Sequence, residues 1–304
     1  MSFRLFIYYC ALCGGGGGFA GWVMGHWLSG ATPLLDIGLK TLMFGIPVAL
    51  GLCLVDALCN LSQRQVGPVL QRGTAAVLVG GVGGFLGGLL SQVLAHIAPP
   101  LGAGLGWAVA GALIGMAPAV FDLMTAASGG QNMGGPARKL LNGLLGGAVG
   151  GFLGGMLAIF LRNAWFGVFD SKPPERLWSP GAVSLVVLGT SIALMVALAQ
   201  VFLKEAWLRV EAGPRAGREV ILTKPVITLG RSQTCDIGLS SDDGVERIHA
   251  RLTRQGDAYV LTDAGSASGT YVNGERVVGP RLLRTGDAIR VGDYLLRFGE
   301  RRRR

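Results

Sequence analysis

Hydrophobic positions run in long unbroken stretches through the first two thirds of the chain and in short alternating ones through the last third. Six stretches, at about 5–27, 39–60, 74–97, 101–123, 140–162 and 180–203, reach the roughly 20 apolar residues needed to cross a hydrocarbon core of about 30 Å. Each reads as a membrane span. The first is longer than the apolar region of a signal peptide and lacks a small-residue cleavage site, so it is retained as a span. From Trp207 onward the period falls to two, with candidate strands at 207–211, 219–223, 226–229, 237–239, 250–254, 259–262, 271–272, 288–291 and 294–298. Asn273-Gly274 and Gly286-Asp287 are hairpin turn signals between them. Many short strands within about 95 residues predict a β-sandwich. The expected fold is an α-helical polytopic membrane bundle of six spans in three two-span repeats, followed by an all-β sandwich.

Charge places the boundary. Of 27 Lys and Arg and 18 Asp and Glu in the 304 residues, only nine bases and five acids precede residue 204, a membrane composition. The chain therefore divides into a glycine-rich transmembrane domain over 1–203, a soluble domain over 204–300 and a basic tail over 301–304. Arg4, Arg64, Arg72, Arg138, Lys139, Lys204 and Arg209 fall on one side of the six spans, against Lys40, Arg162, Lys172 and Arg176 on the other. The excess of bases puts both termini and the soluble domain in the cytoplasm. The net charge of +9 does not imply nucleic acid, because no aromatic stripe for stacking bases accompanies it. The Arg301–Arg304 run reads as a solvated end that could also touch anionic membrane lipid at about 1 kcal/mol per residue.

The helical half repeats itself. Gly17-Gly18-Phe19-Ala20-Gly21, Gly83-Gly84-Phe85-Leu86-Gly87-Gly88 and Gly150-Gly151-Phe152-Leu153-Gly154-Gly155 recur at offsets of 66 and 67 residues, and Asp56 and Asp122 are again 66 apart. Within a span, glycines fall every fourth position, as in Gly17, Gly21 and Gly25, in Gly84 and Gly88, or in Gly151 and Gly155. One helix face then lacks side chains, which favours backbone-to-backbone packing and puts the odd-numbered spans at the centre of a compact bundle. The same faces could line a narrow path or a homo-oligomer contact. Asp56 and Asp122 lie about a turn from the interface and are expected to pair with nearby bases rather than to carry a transported ion.

Other chemistry is sparse. Cys10-Ala-Leu-Cys13 has metal-ligand spacing, but it sits in an apolar run without a second ligand pair, so no metal site is read from it. Cys53, Cys59 and Cys235 add no framework. Gly16, Gly18 and Gly21 match a dinucleotide-loop spacing, which the triple repeat explains better than a cofactor does. No nucleophile, base and orienting group come together, so the expectation is an interaction protein with no cofactor rather than an enzyme.

One motif set names a module. Gly230-Arg231, Arg247-Ile248-His249 and Gly265-Ser266-Ala267-Ser268-Gly269-Thr270-Tyr271-Val272-Asn273-Gly274 resemble, in that order, the signature of the forkhead-associated (FHA) family over residues 207–298. The resemblance implies a β-sandwich that reads phosphothreonine peptides. It makes Arg231 the phosphate-binding Arg, with Ser232, Arg247 and Ser268 on the same peptide-binding face, His249 a buttress of the loop and Asn273 part of a tight turn. Three positions depart from the pattern: Glu246 stands for Ser, Ala267 for Thr and Ser268 for Asn. A carboxylate there repels a phosphate dianion and offers Arg231 a local partner, and loss of the hydroxyl donors removes about 1–3 kcal/mol of charged hydrogen bonding. The functional expectation is a membrane-anchored signalling or scaffold protein that recruits a cytoplasmic partner, phosphothreonine-dependent or not. The alternative is a small transporter or channel regulated by the FHA-like domain. Only four residues, 203–206, join the two halves, a reach of at most about 14 Å.

Overall fold

The computed structural model describes residues 3–28, 30, 32–60, 66–99, 101–128, 133–168, 179–203, 206–214, 216–222, 226–232, 234–239, 242–255 and 258–301. The loop bases Arg64, Lys172 and Arg176, the boundary residue Lys204 and Arg302–Arg304 lie outside them, as does the side chain of Cys59. The chain divides into a helical unit and a second unit that contains the β domain.

Six helices build the first unit: α1 (Phe3–His26), α2 (Pro33–Asn60), α3 (Val66–Ile97), α4 (Leu101–Ser128), α5 (Gly134–Val168) and α6 (Pro180–Phe202). Five of them, α2 to α6, are long and apolar enough to cross a membrane, against the six expected. α1 falls short because Gly14 to Gly18 dilute its hydropathy. It nevertheless packs with the others. A methyl group on Gly17 or Gly21 would meet the α2 backbone at Val48 or Phe44, and one on Gly14 or Gly18 would meet the α6 backbone at Gly189 or Leu185.

That two-sided contact recurs in every odd helix. On α3, Gly80 and Gly84 abut Gly45 and Thr41 of α2, while Gly83 and Gly87 abut Leu113 and Ala110 of α4. Gly88 lies on Thr41 as well. On α5, Gly143, Gly147 and Gly151 touch the α4 backbone at Gly115, Gly111 and Trp107, Gly155 touches the Trp107 ring, and Gly146 and Gly150 touch α6 at Met195 and Ser191. Each odd helix thus carries two glycine faces, and each is wedged between two even ones.

The expectation that the odd spans occupy the centre is therefore corrected. The large side chains buried without exposure belong to even helices, Phe44 on α2, Ile114 on α4 and Ile192 on α6. Even helices also touch one another, Phe44 edge-on to Trp107 at 6.0 Å between ring centroids and Gly115 against Val196. Odd helices turn leucines outward, Leu78 and Leu86 on α3 and Leu145 and Leu153 on α5; even helices expose some as well, Leu54 on α2 and Leu105 on α4, but bury more large side chains. A helix with two bare faces can be approached closely on both sides, so its remaining side chains point away from the bundle.

Four charges meet at one end of this unit. Lys139 of α5 reaches Asp56 of α2 at 2.7 Å and Asp122 of α4 at 2.8 Å, and Arg72 of α3 pairs with Asp122 and lies 3.7 Å from Asp56. Arg72 and Lys139 stand 67 positions apart, so the bases follow the same repeat as the two acids. The cluster is neutral and ties four helices together. In a low-dielectric setting, removing one member leaves a buried charge unbalanced, which costs far more than the intact pair contributes.

The β domain comprises β1 (Ala206–Ala212), β2 (Glu219–Ile221), β3 (Val226–Gly230), β4 (Ile237–Gly238), β5 (Ala250–Gln255), β6 (Ala258–Asp263), β7 (Thr270–Val272), β8 (Glu275–Arg276), β9 (Arg281–Leu282), β10 (Ala288–Val291) and β11 (Tyr294–Glu300). They form two sheets, ordered β2-β1-β11-β10-β7-β8 and β4-β3-β5-β6-β9. Alternation does the sorting: Leu208 and Val210 of β1 and Leu296 and Phe298 of β11 face the core, while Arg209 and Arg297 face out. β8 and β9 are not read from the sequence, because both are short and exposed at both positions and so carry no apolar alternation.

β1 and β11 run antiparallel with Ala206 opposite Glu300 and Ala212 opposite Leu295. Both ends of the sandwich therefore sit at one pole. β11 is seven residues long, so the two poles are separated by about 20 Å.

Two substitutions test the glycine packing. Gly147→Val is expected to destabilise the helical unit by roughly 1–3 kcal/mol, because its side chain would drive into the Gly111 carbonyl. Gly16→Ala, whose added Cβ meets nothing within 4 Å, is expected to be neutral or slightly stabilising in the same thermal unfolding measurement in detergent. Lys139→Met is expected to lower stability by about 3–5 kcal/mol, and equal midpoints for wild type and variant would contradict a paired buried cluster.

Candidate functional site

Three loops gather at the pole remote from the ends of the sandwich: the segment after β3, the segment before β5 and the segment between β6 and β7. The turn joining β10 to β11 meets them, since Asp242 accepts the Asp293 N–H at 2.6 Å. β3 delivers Arg231. Its backbone is fixed by Arg231 N–H donating to the Glu246 carbonyl at 2.8 Å and Ser232 N–H to the Arg247 carbonyl at 3.0 Å. The two basic positions, 231 and 247, are thus joined through main chain.

His249 is fully buried and holds two of the loops. Its Nδ1 accepts the Glu246 N–H at 3.1 Å, which leaves the proton on Nε2 to be donated to the Gly269 carbonyl at 3.3 Å. Ser268 adds a second strap, its hydroxyl donating to the Gly244 carbonyl at 2.7 Å. Gly269 has φ of +76°, a left-handed conformation that suits glycine, and the Arg276 guanidinium lies directly against it.

The side chain of Arg231 does not pair with Glu246. It donates from Nη1 to Asp243 Oδ1 at 3.0 Å, whereas Glu246 is exposed and engages the loop through its backbone. The expectation of a Glu246 partner is corrected on this geometry. Asp243 is fully exposed and Arg231 nearly half exposed, so the pair stands in water, where such pairs contribute little. Ser232 closes a small turn with Thr234, hydroxyl to hydroxyl at 2.8 Å. Arg247 is exposed on the same stretch, and Ala267 follows Ser266 at the rim.

Asn273 is elsewhere. Its amide oxygen accepts from Ala288 N–H and its Nδ2 donates to Asp287 at 2.8 Å, at φ of 52°. It closes the β7–β8 hairpin toward the opposite pole, where Gly286 N–H donates to the Phe298 carbonyl.

Asp263, at the end of β6, organises the third loop and is not among the residues singled out from the sequence. Its carboxylate accepts from the Ser266 hydroxyl and the Thr270 hydroxyl, each at 2.6 Å, and from the N–H groups of Gly265 and Ser266. Burial alone would raise this carboxyl, but the hydrogen bonds outweigh it and hold the group below the usual carboxylate range. A pattern of Asp followed by Gly, Ser and Thr within seven residues could have revealed it.

Comparison with known proteins agrees with this layout. Residues 227–292 match the FHA domain family. The oxoglutarate dehydrogenase inhibitor of Corynebacterium diphtheriae is 41% identical over 96 residues, which are 31% of this chain and 64% of that protein. The glycogen accumulation regulator GarA of Mycolicibacterium smegmatis is 39% identical over 93 residues, 31% of this chain and 58% of the relative. The chain thus spans less than two thirds of the length of these relatives. Among solved structures, an FHA domain studied for phosphothreonine-dependent interactions aligns at 30% identity with a TM-score of 0.30, covering 32% of this chain and 98% of its own. Residues 227–292 of the sandwich are an FHA domain.

Because the Asp263 carboxyl is lowered in the fold, its contribution is present above the ordinary Asp value near pH 3.9 and fades as pH falls below it. Asp263→Asn is expected to remove that acid-sensitive part of stability and to cost about 1–3 kcal/mol at neutral pH. Acid unfolding followed by fluorescence checks both, and an unchanged acid slope would contradict the assignment.

Proposed function

We propose that the chain is a multi-pass membrane protein whose FHA domain recruits a cytoplasmic protein partner bearing phosphothreonine. FHA domains are interaction modules, and the observation that carries the finer reading is the state of Arg231. It is half exposed, on a loop fixed by backbone bonds, and its carboxylate partner is a solvent-exposed residue on a neighbouring loop. A dianionic phosphate offers more charge and more acceptor atoms than one carboxylate, so it displaces Asp243 at small expense. Ser232 and Arg247 flank the position it would take. Asp243 then acts as a competitor that weakens binding without abolishing it, and Glu246 adds a longer-range repulsion.

The alternative of a regulated transporter or channel finds less support. Phe44, Ile114 and Ile192 bury without exposure in the helical unit, and Asp56, Arg72, Asp122 and Lys139 at its end pair with one another. Among the described residues no group of His, Cys, Asp or Glu is placed to hold a metal ion. We assign the helical unit the role of anchor and the FHA domain the role of receptor, with both termini in the cytoplasm.

Binding of the intact protein to a phosphothreonine peptide library, followed by titration of the best peptide, tests this. Arg231→Ala is expected to weaken binding roughly tenfold or more, the equivalent of about 1.5–3 kcal/mol for a hydrogen bond to a charged group. Asp243→Asn is expected to tighten it severalfold, and Glu246→Ser to do so less. Equal affinity for phosphorylated and unphosphorylated peptides would sink the phosphate reading and leave a phosphate-independent scaffold.

A further inference from the structure

The outer face of the six-stranded sheet carries a row of side chains that starts beside the Arg231 loops. Tyr271 of β7 pairs with Arg276 of β8 on one side and with Arg290 of β10 on the other, so the three side chains share one face. Arg276 and Arg290 are exposed and Tyr271 is partly so, whereas Thr270 and Val272, which flank Tyr271 along the strand, are buried. The Arg290 guanidinium lies over the Tyr271 ring, 4.2 Å from its centroid, a cation–π contact that positions a long side chain. The Arg276 guanidinium lies against Gly269, whose carbonyl His249 holds and which follows the strap residue Ser268. One end of the row therefore touches a loop that borders Arg231.

Charge on this face is unbalanced. Its outward positions hold Arg209, Arg276, Arg290 and Arg297 against Glu211 and Glu219. Glu211 is taken by Arg297, and Glu219 stands opposite Arg209. Glu275, next to Arg276 in the chain, is taken by Arg281. Among the described residues Arg276 and Arg290 have no carboxylate partner, unlike Arg231, Arg281 and Arg297.

We infer that the row Arg276, Tyr271 and Arg290 is a second docking site, adjoining the phosphate-binding loops, for an acidic segment of the partner protein. The inference rests on the reading of Arg231 as a phosphothreonine receptor and names a further part of the same partner. Charge complementarity selects the occupant, since two positioned guanidinium forks match carboxylates in shape as well as sign. Two strand spacings separate Arg276 from Arg290, about 10 Å, which is the reach of about three residues of extended chain. A segment with acids at that interval meets both. Nucleic acid fits less well, because stacking a base needs an open ring and the Tyr271 ring already has a guanidinium over it. The consequence is selectivity. With Asp243 competing for Arg231, a partner that adds an acidic run gains a second, intramolecular contact that phosphate alone does not bring.

Fluorescence anisotropy with the full chain in detergent tests this. The probe is the best phosphothreonine peptide of the library, extended at either end through a glycine–serine spacer by a run of about six glutamates or of as many glutamines, each with and without the phosphate. The glutamate form of the phosphopeptide is expected to bind roughly fivefold more tightly than the glutamine form at low salt, and the gain to shrink at high salt. Arg276→Gln and Arg290→Gln are each expected to cut that gain to about twofold or less. Arg251→Gln, on the outer face of the other sheet where Arg251 is exposed, is expected to leave it in place. Equal affinity for the two runs, with phosphate still tightening binding, overturns the second site and leaves the phosphothreonine reading standing. No effect of phosphate, with a glutamate gain that Arg290→Gln removes, supports the acidic-segment site and overturns the phosphothreonine reading. A loss of gain on Arg251→Gln as large as on Arg290→Gln assigns it to the net charge of the domain and overturns the proposal.

Discussion

The antiparallel pairing of β1 with β11 is the constraint on which the functional geometry turns. It is the longest ladder in its sheet and brings the two ends of the sandwich together. Because β11 starts beside Asp242 and ends at the Arg301 run, one strand connects the ligand pole to the chain-entry pole. A one-residue slip in this register would invert every side chain of β11, taking Leu296 and Phe298 out of the core. The core and the position of the Arg231 loops within the sandwich are therefore fixed by the same set of hydrogen bonds.

The helical unit depends on a different contact, the approach of helix backbones at glycine. Where Gly147 faces Gly111 and Gly143 faces Gly115, two main chains touch without intervening side chains. On the proposed membrane reading, dispersion over such a surface replaces the hydrophobic drive that lipid cannot supply. The charge cluster of Asp56, Arg72, Asp122 and Lys139 complements this packing. Glycine faces are nearly featureless and tolerate sliding, whereas charges at fixed positions on four helices satisfy one another in one register. This is the division of labour expected when non-directional packing needs a directional partner.

How much of this was legible in the sequence follows the range of each interaction. The FHA fold was readable because its turns demand particular residues locally: Asn273-Gly274 closes a hairpin with positive φ, and Gly269 admits the Arg276 guanidinium. The placement of the odd helices was misread because Gly83 and Gly87 form a second face, rotated from Gly80, Gly84 and Gly88. A single period of four hides two stripes when glycines come in pairs. Lys139 and Arg72 repeat at the interval of the glycines, yet their meeting with both acids depends on the order of helices around the bundle. The partner of Arg231 was missed for a similar reason. Asp243 and Glu246 are three residues apart, and only the folded loop, with His249 drawing in the Glu246 N–H, decides which carboxylate faces the guanidinium.

That last choice bears on what a degenerate motif means. Glu246 at the expected Ser position reads, on sequence, as a group that fills the phosphate site from within. In the fold its main chain supplies the bond that buttresses the loop, and its side chain stands in solvent. The loop architecture is thus retained by backbone donors and by His249, Ser268 and Asp263, none of which needs the hydroxyls that are missing. What has changed is the charge around a preserved guanidinium. If the site binds phosphothreonine as proposed, such an alteration keeps its geometry and lowers its affinity, which places discrimination in the number of charges the ligand brings. A monoanion gains little over Asp243, whereas a dianionic phosphate held by Arg231 and flanked by Arg247 gains the difference. Under the proposed phosphothreonine reading, the departures from the family pattern argue for a weak reader with a high demand on ligand charge.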